Sequence, residues 1–142
     1  MALPDHVQPM LATLTKDGLP RDEESWTYEF KWDGIRAIAL WDGARLRFET
    51  RNLRDVTHSW PELEALAPAL GNRPVILDGE ICALDETGRP SFQRLQERMH
   101  IADRSTAVRL AAKVPASYLV FDVLHLDDRD LMPLPWTERR PL

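Results

Sequence analysis

The sequence predicts an α+β fold, with antiparallel sheets and flanking helices. Three observations lead there. Apolar runs of strand length follow one another closely, several separated only by Asp-Gly or Thr-Gly turns. Segments with three- and four-residue apolar spacing stand singly among them. The regular strand–helix alternation that builds a parallel sheet is missing. At 142 residues the chain has the size of one domain, and a hydrophobic share of 44% suffices for a core.

Residues 1–25 are rich in Pro, Asp and Gly and read as an extended N-terminal arm with turns. The remainder, 26–142, reads as one unit. In WTYEFKW (26–32), Trp26, Tyr28, Phe30 and Trp32 alternate with polar residues, the pattern of a half-buried strand. Asp33-Gly34 breaks it. IRAIALW and ARLRFET follow, separated by Asp42-Gly43, a two-residue hairpin signal. PELEALAPAL has Leu63, Leu66 and Leu70 at helical spacing, Pro61 in a first turn and Gly71 as a stop, with Pro68 shortening or kinking the helix. PVILDGEICALD reads as a strand broken near Asp78-Gly79, and ETGRP as a turn. Ser91 can cap a helix FQRLQERMHIA, and a weaker helix covers roughly 105–112. SYLVFDVLHLD is a nearly continuous apolar strand. In LPWTERRPL, Thr137 and Glu138 look like a helix start.

The charge of −5 does not suggest a globally basic nucleic-acid binder, but a DNA footprint is a local stripe. Arginines cluster at Arg45, Arg47, Arg51 and Arg54, and at Arg94, Arg98 and Arg104. One cysteine, Cys82, excludes an internal disulfide and a Cys-based zinc site, and its apolar setting predicts a buried, inert thiol. The N-terminus does not read as a signal peptide, and the longest apolar run, Tyr118 to Leu126, is too short to span a bilayer; a cytoplasmic protein without membrane contact is expected. His6, His58, His100 and His125 lack the spacing of a metal site. A GxxxxGK[ST] phosphate loop is absent.

The most informative segment is EFKWDGIR, 29–36. It presents a lysine at the rim of an aromatic-backed strand, beside a turn where backbone can approach a phosphate. Arg36 follows within reach, so the pair suits an anionic substrate. KWDGIR resembles the Lys-x-Asp-Gly-x-Arg signature of nucleotidyltransferases: ATP-dependent DNA ligases, RNA ligases and mRNA capping enzymes. TRNLRD (50–55), ILDGEI (76–81) and YLVFDVLHLDDRDL (118–131) resemble three further motifs of that family, in its order. QPMLATL, SFQRLQ and WTERR look most similar to bacterial ligases of the ligase D type, which act in end-joining repair.

The resemblance implies a partial nucleotidyltransferase (ATP-grasp-like) adenylation domain, lacking its OB-fold. It implies Lys31 as the nucleophile that takes AMP from ATP, forming a lysyl-AMP phosphoramidate. An ammonium is not a nucleophile, so neighbouring cations must favour the neutral amine; Arg36 and a bound Mg²⁺ (or Mn²⁺) are candidates. It further implies that Glu80 accepts from a ribose hydroxyl, Arg51 lies near ribose and phosphates, and Phe121 stacks on adenine. Glu29 would contact the adenine edge, Asp78 would support the site or help hold metal, and Asp122 would be structural. The implied partners are nicked or broken double-stranded DNA, Ku-type end-joining proteins, and polymerase and nuclease modules, in a bacterial nucleoid.

The family's later glutamate motif and Lys-x-Lys motif find no counterpart after Asp130. The chain therefore reads as the first portion of the domain, with exposed apolar surface and weak, salt-dependent DNA binding expected. Two other readings stand beside this one: an RNA ligase or capping-type enzyme, and a catalytically silent nucleotide-binding or interaction fragment.

Overall fold

In a computed structural model of the chain, residues 3–16 and 18–142 are described. They form one five-stranded sheet with short helices against it. The strands are β1 (Ile35–Trp41), β2 (Leu46–Thr50), β3 (Val75–Ala83), β4 (Ala116–Leu126) and β5 (Arg129–Asp130). They lie in the order β2-β1-β3-β4-β5, every neighbour antiparallel. The α-helices are α1 (Leu66–Leu70), α2 (Phe92–Gln96), α3 (Arg104–Lys113) and α4 (Trp136–Arg139).

The central strands bury both faces, and alternation decides which residue goes where. Ala37, Ala39, Phe48, Leu77 and Ile81 join Trp60, Leu63, Leu95 and Val114 in a core under the helices. Ile38, Leu40, Ile76 and Leu124 point the other way and are covered by Val7 and Leu3 of the N-terminal arm. Glu49, only 1% exposed, anchors that arm through His6 Nδ1 at 3.1 Å, while Arg47 links Glu49 to the Asp5 carbonyl. The expected arm is thus one layer of the fold as far as Pro9; from Met10 to Ser25 nearly all its described residues are exposed.

Several local expectations hold, and four need correction. Ser91 caps α2, its Oγ accepting from the Arg94 N–H, and Gly71 ends α1 with φ 62°. Asp103, not foreseen, caps α3 by accepting from Thr106. The expected strand at 26–32 is instead extended chain without a sheet partner among the described residues. Alternation describes which residues would share a face, but a strand also needs a neighbour for its backbone groups. Trp26, Tyr28 and Phe30 are 54%, 56% and 84% exposed rather than packed.

The hairpin between β1 and β2 has four loop residues rather than two. Asp42 Oδ1 accepts from both the Ala44 and Arg45 N–H groups, drawing them into the turn. The helix expected through Ala102 is α-helical only to Gln96, and His100, at φ 62°, turns the chain. Finally, β3 runs unbroken through Asp78-Gly79. Two irregularities lie in its pairing with β4: Leu124 is an extra residue between the Ile76–His125 and Leu77–Val123 pairs, and Phe121 between the Asp78–Asp122 and Gly79–Val120 pairs.

Pro68 acts as expected. It lacks the N–H that would bond Glu64, and the segment is a 3₁₀ turn over Pro61–Ala65 before it becomes α1.

Candidate active site

The site begins with cross-strand neighbours. Arg36 of β1 stands opposite Glu80 of β3, two residues along from Asp78, so all three share one face. Arg36 makes a two-pronged pair with Asp78, Nε to Oδ1 at 3.0 Å and Nη2 to Oδ2 at 2.6 Å. Its remaining nitrogen, Nη1, donates to the Met10 carbonyl at 2.8 Å. The guanidinium carbon lies 5.4 Å from the centre of the Phe121 ring. The bond to Asp78 holds the Arg36 guanidinium above its ordinary pKa, against burial.

This arrangement alters two expectations. Arg36 is tied to three neighbours and is positioned to organise the site. Both Asp78 oxygens accept from Arg36, and among the described residues no three His, Cys, Asp or Glu side chains gather as a metal site. A metal role for Asp78 would therefore have to share its carboxylate with Arg36; magnesium held together with nucleotide phosphates needs only one or two protein carboxylates.

Glu80 is half-buried. Burial pushes its carboxyl above the usual glutamate value, opposed by a bond from the Gly34 N–H and by the charges of Lys31 and Arg36. Lys31 itself is exposed, on the extended segment that leads into β1. Glu29, on the same segment, is also exposed, with no hydrogen bond or ion pair among the described residues.

Gly34 is needed for a different reason than the sequence suggested. A Cβ there would press into the Ile81 carbonyl oxygen and lie 2.7 Å from Cys82 Sγ. The glycine lets the Lys31 segment close down on the end of β3, which is how its N–H reaches Glu80.

Gly34, Arg36, Glu80 and Arg51 line one cleft of about 530 Å³, together with Asn52, Arg54, Trp60 and the turn carrying Arg98 and His100. Two non-glycine residues at this rim adopt left-handed backbone, Leu53 (φ 58°) and His100 (φ 62°). A bulky leucine in that conformation is strained, and such strain concentrates at functional sites. Arg51 and Arg54, flanking Leu53, are exposed.

Phe121 does not line this cleft. It borders a second hollow of about 420 Å³, with Asp122, Arg139 and the end of α1, and meets the first site only through Arg36. The structure therefore gathers Arg36, Arg51 and Glu80, leaves Lys31 close enough for its charge to act on Glu80, sets Phe121 against Arg36, and holds Glu29 apart.

Three participants escaped the sequence reading. The Met10 carbonyl and Trp60 gave no signal, because a backbone acceptor and a core tryptophan look ordinary. Arg98 was grouped with a basic surface cluster, yet its side chain is wholly buried. It pairs with Glu62, donates to the Ser59 and Val114 carbonyls, and lies 4.7 Å over the Trp60 ring. Arg104, from the same cluster, pairs with Glu64.

Comparison with known proteins adds the family. Residues 9–142 match the model of the ATP dependent DNA ligase domain. The chain is 40% identical over 139 residues to the multifunctional non-homologous end joining DNA repair protein LigD of Mycobacterium tuberculosis, covering 97% of this chain and 16% of that protein. It is 47% identical over 112 residues to a probable DNA ligase of Streptomyces avermitilis, covering 78% of this chain and 22% of that one. The fold is similar to the crystal structure of the ligase domain of M. tuberculosis LigD, with a TM-score of 0.67 and 35% identity, over 80% of this chain and 34% of that chain. It matches a mycobacterial DNA ligase D complexed with ATP and MES equally well. The chain thus spans about a sixth of the length of the LigD proteins it matches and a third of the solved ligase domain.

Proposed function

Because the chain belongs to the ATP-dependent DNA ligase family, we propose that it forms part of an adenylation domain in which Lys31 takes AMP from ATP for DNA strand joining in repair. The carrying observation is the cleft that gathers Arg36, Arg51 and Glu80, with the Lys31 charge acting on Glu80. The exposed guanidinium of Arg51 suits a polyphosphate, and the Glu80 carboxylate in the same cleft suits sugar hydroxyls.

In this reading Lys31 Nζ attacks the α-phosphorus of ATP in line. An N–P bond forms, the P–O bond to pyrophosphate breaks, and the amine proton passes to solvent. The lysyl-AMP so formed would pass AMP to a 5′-phosphate on DNA, and a 3′-hydroxyl would then displace AMP. Glu80 accepts from a ribose hydroxyl, Arg51 faces ribose and phosphates, Phe121 stacks on adenine and Glu29 approaches the adenine edge. Arg36, held by Asp78 and Met10, orients this set. The charge of the departing pyrophosphate would be met by Arg51, with a bound Mg²⁺ as the further cation that the family resemblance implies.

LigD relatives are named for non-homologous end joining, which supports broken or nicked double-stranded DNA as the substrate. Ku-type proteins and polymerase or nuclease modules are the corresponding partners.

The test is direct. Incubate the chain with α-labelled ATP and Mg²⁺, denature it, and measure retained label. Label that is absent from Lys31→Ala and Lys31→Arg supports the proposal, since a guanidinium stays protonated. Nucleotide-dependent thermal stabilisation without label contradicts the catalytic reading and favours a silent binding fragment. Displacement by GTP as effective as by ATP contradicts adenine selection.

A further inference from the structure

The bulge that carries Phe121 is clamped by an ion pair that the proposed chemistry does not use. Asp122, the next residue, takes Arg139 in a two-pronged grip, Nε to Oδ1 at 2.9 Å and Nη2 to Oδ2 at 2.6 Å. The same Oδ1 accepts the Val123 N–H at 2.9 Å, so the carboxylate fixes the backbone just past the bulge. Arg139 also donates to the Leu134 carbonyl in the loop before α4, so that its grip on Asp122 ties both loop and helix to the strand. Neither side chain is freely solvated, with Asp122 14% and Arg139 10% exposed. At this degree of burial, losing one partner leaves a charge poorly solvated, so breaking the pair costs more than breaking a surface ion pair.

We propose that Asp122 and Arg139 are positioning residues for nucleotide binding: they hold the β4 bulge in the one register that turns the Phe121 ring towards Arg36. Bulges re-aim a side chain, and this one has an identifiable lock. The ring is then set from two sides, by the Arg36 guanidinium on one and by the clamped backbone on the other. Neither residue touches the nucleotide; both act through Phe121. The inference rests on the reading of Phe121 as the adenine platform.

The experiment is a double-mutant cycle on ATP affinity, measured by calorimetry on the whole chain with thermal melting alongside. Asp122→Asn and Arg139→Gln each weaken ATP binding about tenfold, and the double variant is no weaker than either. In a Phe121→Leu background, which keeps an apolar side chain but removes stacking, Arg139→Gln has no further effect. Equal losses from Arg139→Gln with and without Phe121 overturn the inference. So does unchanged ATP affinity in Asp122→Asn and Arg139→Gln while the parent chain binds normally; that result leaves the proposed function intact. Failure of the parent chain itself to bind ATP overturns the proposed function and this inference with it.

Discussion

Cys82 sits directly behind the site, beneath Gly34, and the two residues are fitted to one another. Burial, reinforced by the charges of Glu80 and Asp33, pushes the Cys82 thiol up to about 12. The thiolate therefore forms only in strong alkali, and the native protein should not react with iodoacetamide at pH 8 until it is denatured. Rapid labelling of the folded chain contradicts this. Gly34→Ala forces the added methyl against Sγ and the Ile81 carbonyl. Overpacking of this kind costs about 1–3 kcal/mol in denaturant melts, and here it also lifts the Lys31 segment off Glu80. Glu80 titrates above the ordinary glutamate range, so it loses its charge at higher pH than an exposed glutamate would as acidity rises. ATP affinity should decline on that acid limb in the parent chain, and Glu80→Gln should lack the limb.

Among the elements, the turn after α2 is held by the molecule's most buried cation. Arg98 connects that turn to the 3₁₀ segments before α1 and, through the Val114 carbonyl, to the entry of β4. Removing one member leaves the other's charge without its counter-ion. Glu62→Ala and Arg98→Met should each lower stability by about 3 kcal/mol in denaturant titrations; a change under a few tenths contradicts the role. The α3 cap makes a pH prediction. Bonds from Ser105 and Thr106 hold the Asp103 carboxyl down to about 2. A depressed folded value stabilises above the ordinary carboxylate range, and that contribution is lost as pH falls through 2. The melting-temperature gap between the parent and Asp103→Ala should therefore be full at neutral pH and close towards pH 2.

These elements also show what the chain's pattern reveals. Strand runs, the Ser91 cap and the Gly71 stop were legible because each depends on residues adjacent in sequence. The Asp42 loop was misjudged because a side-chain bond competes with the tight turn that Asp-Gly usually makes. Arg98 and Arg139 were illegible because their partners lie 36 and 17 residues away. Nothing in a run of charges tells a buried clamp from a solvated stripe.

At the scale of the whole molecule, the sheet works as a two-sided frame. Helices pack one face, and the arm seals part of the other while lending the Met10 carbonyl to Arg36. Of the four dispersed motifs, legible as an ordered set, two meet because β1 and β3 pair in the register that sets Arg36 against Glu80. A third brings Arg51 to the same cleft, and the fourth touches it only where Phe121 lies against Arg36. What the motifs could not show is the path of 26–32. Its alternation was plain, but among the described residues no strand pairs with it, and Trp26, Tyr28 and Phe30 stand exposed. That apolar surface should make the chain associate at high concentration. Light scattering should show the effect diminishing in Tyr28→Ser/Phe30→Ser; unchanged association would assign it to another surface.

The central claim is that one amine, at the edge of a cleft built by Arg36, Arg51 and Glu80, becomes covalently joined to AMP. Tandem mass spectrometry of peptides from ATP-treated protein tests it most directly. The account predicts an acid-labile AMP adduct on the Lys31 peptide and on no other; an unmodified Lys31 beside AMP attached elsewhere would contradict it.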